Sequence, residues 1–99
     1  MAMQVIRAQV KDEAVGQLRS AVDKVFAELD ALQPEGIRYA SLMEADGTSF
    51  LILLEIEDGV TNPLPTIEAF RDFQSALPTW LAGPPAVDAM GVVGSYRVF

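Results

Sequence analysis

Ile37-Arg38-Tyr39-Ala40-Ser41-Leu42-Met43-Glu44-Ala45-Asp46-Gly47-Thr48-Ser49-Phe50-Leu51-Ile52-Leu53-Leu54-Glu55-Ile56 consists of two apolar runs joined by Asp46-Gly47. Asp-Gly between such runs signals a hairpin. A two-residue type I′ loop pairs Ala45 with Thr48, Met43 with Phe50, Ser41 with Ile52, Tyr39 with Leu54 and Ile37 with Ile56. That face is almost wholly apolar. The same register sets Leu42 against Leu51, Ala40 against Leu53 and Arg38 against Glu55, so the reverse face is apolar near the turn and ends in a cross-strand ion pair. Both faces are therefore expected to be covered.

Working outward, Met3 to Val10 alternates, with Ile6, Ala8 and Val10 on one side and Val5, Arg7 and Gln9 on the other, which predicts a strand. Asp12 is the expected cap of a helix whose buried stripe is Val15, Leu18, Val22, Val25, Phe26, Leu29 and Leu32. Gln33-Pro34-Glu35-Gly36 ends it. Asp58 to Pro65 is too rich in proline and turn formers for regular structure. Thr66 is the expected cap of a second helix, with Ile67, Phe70, Phe73 and Leu77 as its stripe and Pro78 as its end. Leu81 to Met90, with Gly83-Pro84-Pro85, reads as irregular. Val92 to Phe99 alternates and predicts the last strand, with Val92, Tyr96 and Val98 facing the helices and Val93, Ser95, Arg97 and Phe99 turned away. The resulting order is the α+β ferredoxin-like βαββαβ arrangement, a four-stranded antiparallel sheet with two helices on one face.

Ninety-nine residues with 51% hydrophobic content are expected to form a single domain over 1–99. The formal charge of -7, with seven Lys and Arg scattered along the chain, argues against nucleic acid and against an anionic membrane surface. The absence of cysteine excludes a disulfide framework, and the N-terminus lacks the basic start and long apolar run of a signal peptide, so a cytoplasmic protein is expected. The scattered acids on the first helix have no His or Cys beside them, and no metal site is expected. Serines without any histidine cannot form the usual hydrolytic triad.

The face without helices leaves Leu42, Leu51, Leu53 and Val93 as an apolar patch, for which the economical cover is a second copy of the chain. Two such sheets paired through these faces make a dimeric α+β barrel enclosing a cavity in each protomer. The whole order of elements resembles that superfamily. Ile37-Arg38-Tyr39, Asp46-Gly47-Thr48-Ser49-Phe50, Asn62-Pro63-Leu64-Pro65, Ala69-Phe70-Arg71-Asp72-Phe73-Gln74, Pro84-Pro85 and Val93-Gly94-Ser95-Tyr96-Arg97 resemble, within it, a bacterial subgroup of the antibiotic biosynthesis monooxygenase type. The resemblance implies a homodimer, a small-molecule ligand and no bound cofactor. Relatives in that family oxidise aromatic polyketides, degrade haem, isomerise small lactones or only bind ligands. With no histidine, this chain departs from the branches that ligate haem through imidazole.

Two classes of function stay open. In the first, the protein is a cofactor-independent monooxygenase or isomerase of a small aromatic or acidic metabolite. Glu55 and Arg38 are then the catalytic candidates, a proton acceptor and an anion holder, while Arg7 and Arg97 are substrate-binding candidates and Trp80 is a lid. In the second, it is a non-catalytic ligand-binding or dimerisation module. Arg38 and Glu55 are then a structural ion pair, Arg7 and Arg97 lie at a strand end or rim, and Trp80 is a plug against the second helix.

Overall fold

The computed structural model describes residues 2–97, and the sequence reading of Val98 and Phe99 as strand lies outside them. The elements are β1 (Ala2–Gln9), α1 (Val15–Leu32), β2 (Ile37–Met43), β3 (Ser49–Ile56), α2 (Glu68–Trp80) and β4 (Ala86–Gly91), with one-turn 3-10 segments at Asp12–Ala14 and Leu64–Thr66. The strands form one antiparallel sheet in the order β2-β3-β1-β4, the ferredoxin-like α+β arrangement.

The hairpin register follows the alternation of the sequence. Met43 faces Phe50, Ser41 faces Ile52, Tyr39 faces Leu54, Ile37 faces Ile56 and Arg38 faces Glu55. The turn differs from a type I′ loop, which needs left-handed backbone at both central residues. Only Gly47 is left-handed there, with φ 78°, and its N–H bonds back to Glu44 O at 3.0 Å. Asp46 instead uses its carboxylate to accept the Thr48 and Ser49 N–H groups, both at 2.9 Å, and the Ser49 hydroxyl. A longer loop therefore carries the same register.

The core lies between the sheet and the helices. Leu18 and Val25 of α1 and Phe70 and Phe73 of α2 are buried with Phe50, Ile52 and Leu54 of β3, as the alternating and helical spacings require. Aromatic rings run through it in series: Phe26 stacks on Tyr39 at 5.3 Å, Tyr39 meets Phe70 edge-on at 6.3 Å, and Phe70 reaches Trp80 through Phe73. Leu64, in the loop before α2, is fully buried and closes one end.

Three helix-end expectations are corrected. Asp12 opens the 3-10 turn, and the residue capping α1 is Ala14, with no side-chain bond. Thr66 ends its own 3-10 turn by donating its hydroxyl to Pro63 O, and Ile67 precedes α2. Pro78 lies inside α2, which continues to Trp80. In the last turn its missing N–H costs a single bond to the exposed Gln74, and a helix can carry that.

The last strand is also corrected: it spans Ala86–Gly91, in the stretch expected to be irregular, and Val92–Arg97 follows it as non-regular chain. The end of α2 sets this. Lys11 N–H bonds to Trp80 O and Ala82 N–H to Gln9 O, both at 2.8 Å, with Val10 bridged to Leu81, so the returning chain zips onto the end of β1 at once. Gly83-Pro84-Pro85 is the bulge that lets Leu81 to Ala86 lie opposite the shorter stretch from Val10 to Arg7. Tyr96, expected in the core, is accordingly exposed.

Candidate functional site

The parity of the β2–β3 register puts Arg38, Ala40 and Leu42 with Leu51, Leu53 and Glu55 on the face away from the helices, beside Met3, Val5 and Arg7 of β1. Ala86, Asp88 and Met90 of β4 complete that face, in the positions expected for Val93, Ser95 and Arg97. Leu42 and Met90 are exposed on it, and Val5 and Glu55 are buried.

Glu55 is the buried charged residue of the described part of the protein. Its side chain is 5% exposed, and its Oε1 lies 3.9 Å from Nε of Arg38, whose own side chain is 64% exposed. That distance is an ion pair and too long for a hydrogen bond. A carboxylate with so loose a partner keeps acceptor capacity for something else. Beside it lies a cavity of about 30 Å³ lined by Met3, Ala40, Leu53, Glu55, Val92 and Ser95 among others, with Arg38 at its wall. This volume holds a water molecule or two and falls far short of the several hundred Å³ of an ordinary small-molecule pocket.

The other sequence candidates are not brought together there. Arg7 is exposed on the same face, paired between Leu51 and Ala86, and does not line the cavity. Arg97 follows β4 rather than lying in it; its φ is 48° and its guanidinium sits 5.4 Å above the Tyr96 ring. Trp80 ends α2 in the helix layer, half-buried against Phe73 at 6.4 Å. It borders an open groove of about 870 Å³ between α1 and α2, whose other walls include Gly16, Ser20, Ala69 and Ala76. The sheet separates it from Glu55. Ser95, expected on the open face, does line the cavity there, whereas Val92, read as a strand residue facing the helices, was missed.

On the helix side, burial pushes the Tyr39 phenol above its ordinary value. The Ser41 hydroxyl, two residues along on the same face, acts the other way but is itself buried without a hydrogen bond of good geometry. At the turn, the Ser49 hydroxyl, then the Ser49 and Thr48 N–H groups, hold the Asp46 carboxyl below its usual value. Among the described residues no group of three or more His, Cys, Asp or Glu side chains is placed to hold a metal ion. No described helix is long and apolar enough to cross a membrane.

This open-faced α+β fold is shared with known structures. A Nitrosomonas europaea protein provisionally described as an antibiotic biosynthesis monooxygenase superposes with a TM-score of 0.74 at 17% identity, over 95% of this chain and 100% of that one. Rv0793 from Mycobacterium tuberculosis superposes with a TM-score of 0.73 at 16% identity, over 95% and 96%. SnoaB, a cofactor-independent oxygenase from Streptomyces nogalater, gives 0.68 at 16% identity, over 97% and 96%. The chain thus has the fold of the antibiotic biosynthesis monooxygenase-type proteins. No family model and no curated protein matches its sequence.

Proposed function

We propose that the protein binds a small aromatic or acidic metabolite on the open face of its sheet and acts on it as a cofactor-independent monooxygenase or isomerase. The observation that carries this reading is Glu55, a buried carboxylate at a cavity wall whose guanidinium partner sits at a loose 3.9 Å. Glu55 accepts a proton from a phenol or an acidic carbon, and the Arg38 guanidinium steadies the anion that results. Arg7, farther along the same face, is available to a longer acidic substrate. The likeness to SnoaB supports the oxygenase branch of the proposal through its fold. A second copy packs on the apolar open face where Leu42 and Leu51 lie outside the Glu55 cavity, and buries on the order of 1,600 Å² or more.

A non-catalytic ligand-binding or dimerisation module is the second reading, favoured by the small size of the cavity, about 30 Å³. A thermal-shift screen with aromatic acids, quinones and phenols separates the two when run on the wild type and on Glu55→Gln. Stabilisation of the wild type, weakened in the variant and accompanied by oxygen uptake or isomerisation, is the expected result. Stabilisation without turnover establishes the module, and no stabilisation by any compound refutes the ligand site. Light scattering at micromolar concentration tests the dimer: a monomeric mass rules out a second copy as cover.

A further inference from the structure

The strand order places β4 at one edge of the sheet and β2 at the other, with β1 and β3 between them. Yet Val92 and Ser95, just beyond β4, share the Glu55 cavity with Arg38 and Ala40 of β2 and Leu53 of β3. The chain after Gly91 therefore turns back across the open face. We propose that Val92–Arg97 is a strap that shuts the Arg38–Glu55 cavity and must swing away to admit a ligand; the proposal takes that cavity as the ligand site.

The strap is loosely held. Among the described residues, no backbone hydrogen bond outside the regular elements ties Val92–Arg97 to the body of the protein. Val93 and Tyr96 project into solvent, and the Arg97 guanidinium lies over the neighbouring Tyr96 ring. Val92 is 39% exposed, so its contact with the cavity is the one apolar attachment of consequence along the segment. A segment with few buried contacts and few backbone bonds opens at low free energy. Glu55, shielded on the same side of the sheet, gains access to solvent or substrate when it does.

The chain has no cysteine, so a single Ala40→Cys substitution reports access to the cavity through its rate of reaction with a soluble thiol reagent. In that background Val92→Asp removes the apolar attachment and sets a carboxylate against Glu55. Ser95→Asp perturbs the strap at its other contact, and Val93→Asp changes a side chain that does not touch the cavity. None of the three positions belongs to the buried core, so folding is preserved. Labelling about tenfold faster with Val92→Asp and Ser95→Asp, and unchanged with Val93→Asp, is the expected result. Equal rates in all four proteins overturn the strap. So does protection that disappears on dilution, which assigns the cover to a second copy. The ligand site is judged separately by the compound screen: the labelling pattern without any binding leaves the strap and removes the ligand site, and binding with equal labelling rates does the reverse.

Discussion

Replacing Glu55 by Met should stabilise the protein, and replacing Arg38 by Met should destabilise it. At 3.9 Å, an effective dielectric of about 20 gives about 4 kcal/mol of gross attraction. Removing a carboxylate from water costs several kcal/mol, so the pair roughly breaks even. With Arg38 64% exposed, solvent screens its half of the attraction further. Glu55→Met leaves no buried charge, because the orphaned guanidinium already reaches water, and its side chain gains apolar burial beside Met3 and Leu53. The expected gain is about 1 kcal/mol. Arg38→Met leaves the carboxylate buried and unpartnered, at an expected cost of about 1 to 3 kcal/mol. Urea denaturation followed by circular dichroism at one fixed protein concentration reads both. A loss of more than about 1 kcal/mol in Glu55→Met would show that the acid holds the sheet together and has no stability cost for function to explain.

Trp80→Ala should cost about 1.5 to 3 kcal/mol, less than a fully buried Trp because Trp80 is half-buried, and should leave ligand stabilisation intact; unchanged stability with lost binding would restore Trp80 as a lid. Gly36→Ala should cost about 1 to 2 kcal/mol or more in urea, since φ there is +81° and an added Cβ meets Val60 Cγ2 at 2.7 Å; a neutral result contradicts that close approach. Asp46→Ala should lower the melting temperature at neutral pH. Because the folded carboxyl titrates below its ordinary value, the stability it lends is present above the unfolded pKa and is lost as pH falls through the folded one. Melting curves of wild type and variant should therefore converge in acid, and a constant offset at all pH values refutes the carboxylate's role.

The hairpin was legible in the sequence because parity is a local property: once Met43 faces Phe50, every side chain from Ile37 to Ile56 has its face assigned, including Arg38 and Glu55. β4 was not legible. Val92 to Arg97 alternates more persuasively than Ala86 to Gly91, which follows two prolines and carries Asp88. The choice is made by non-local bonds from Lys11 and Ala82 to the ends of α2 and β1, which no window of sequence contains. The error carried into the site, since Ser95 and Arg97 were given the face that Ala86, Asp88 and Met90 occupy. For Trp80, the sequence left two roles open, a lid over a pocket mouth and a plug packed in the helix layer. The helix runs through Pro78 and sets the indole beside Phe73, which a window of sequence around the prolines does not show.

The turn between β2 and β3 also limits how the chain can diverge. Its residues from Glu44 to Thr48 are held by the Asp46 carboxylate and by Gly47, and they deliver Ser49 in phase with Glu44. Deleting or inserting one residue within β3 beyond the turn inverts every later side chain of that strand: Leu54 turns outward and Glu55 enters the aromatic layer beside Tyr39 and Phe70. Two residues restore the phase. Homologous lineages that keep an acid on the open face should therefore differ in this strand by even numbers of residues, or confine odd changes to the loop, where no facing is at stake.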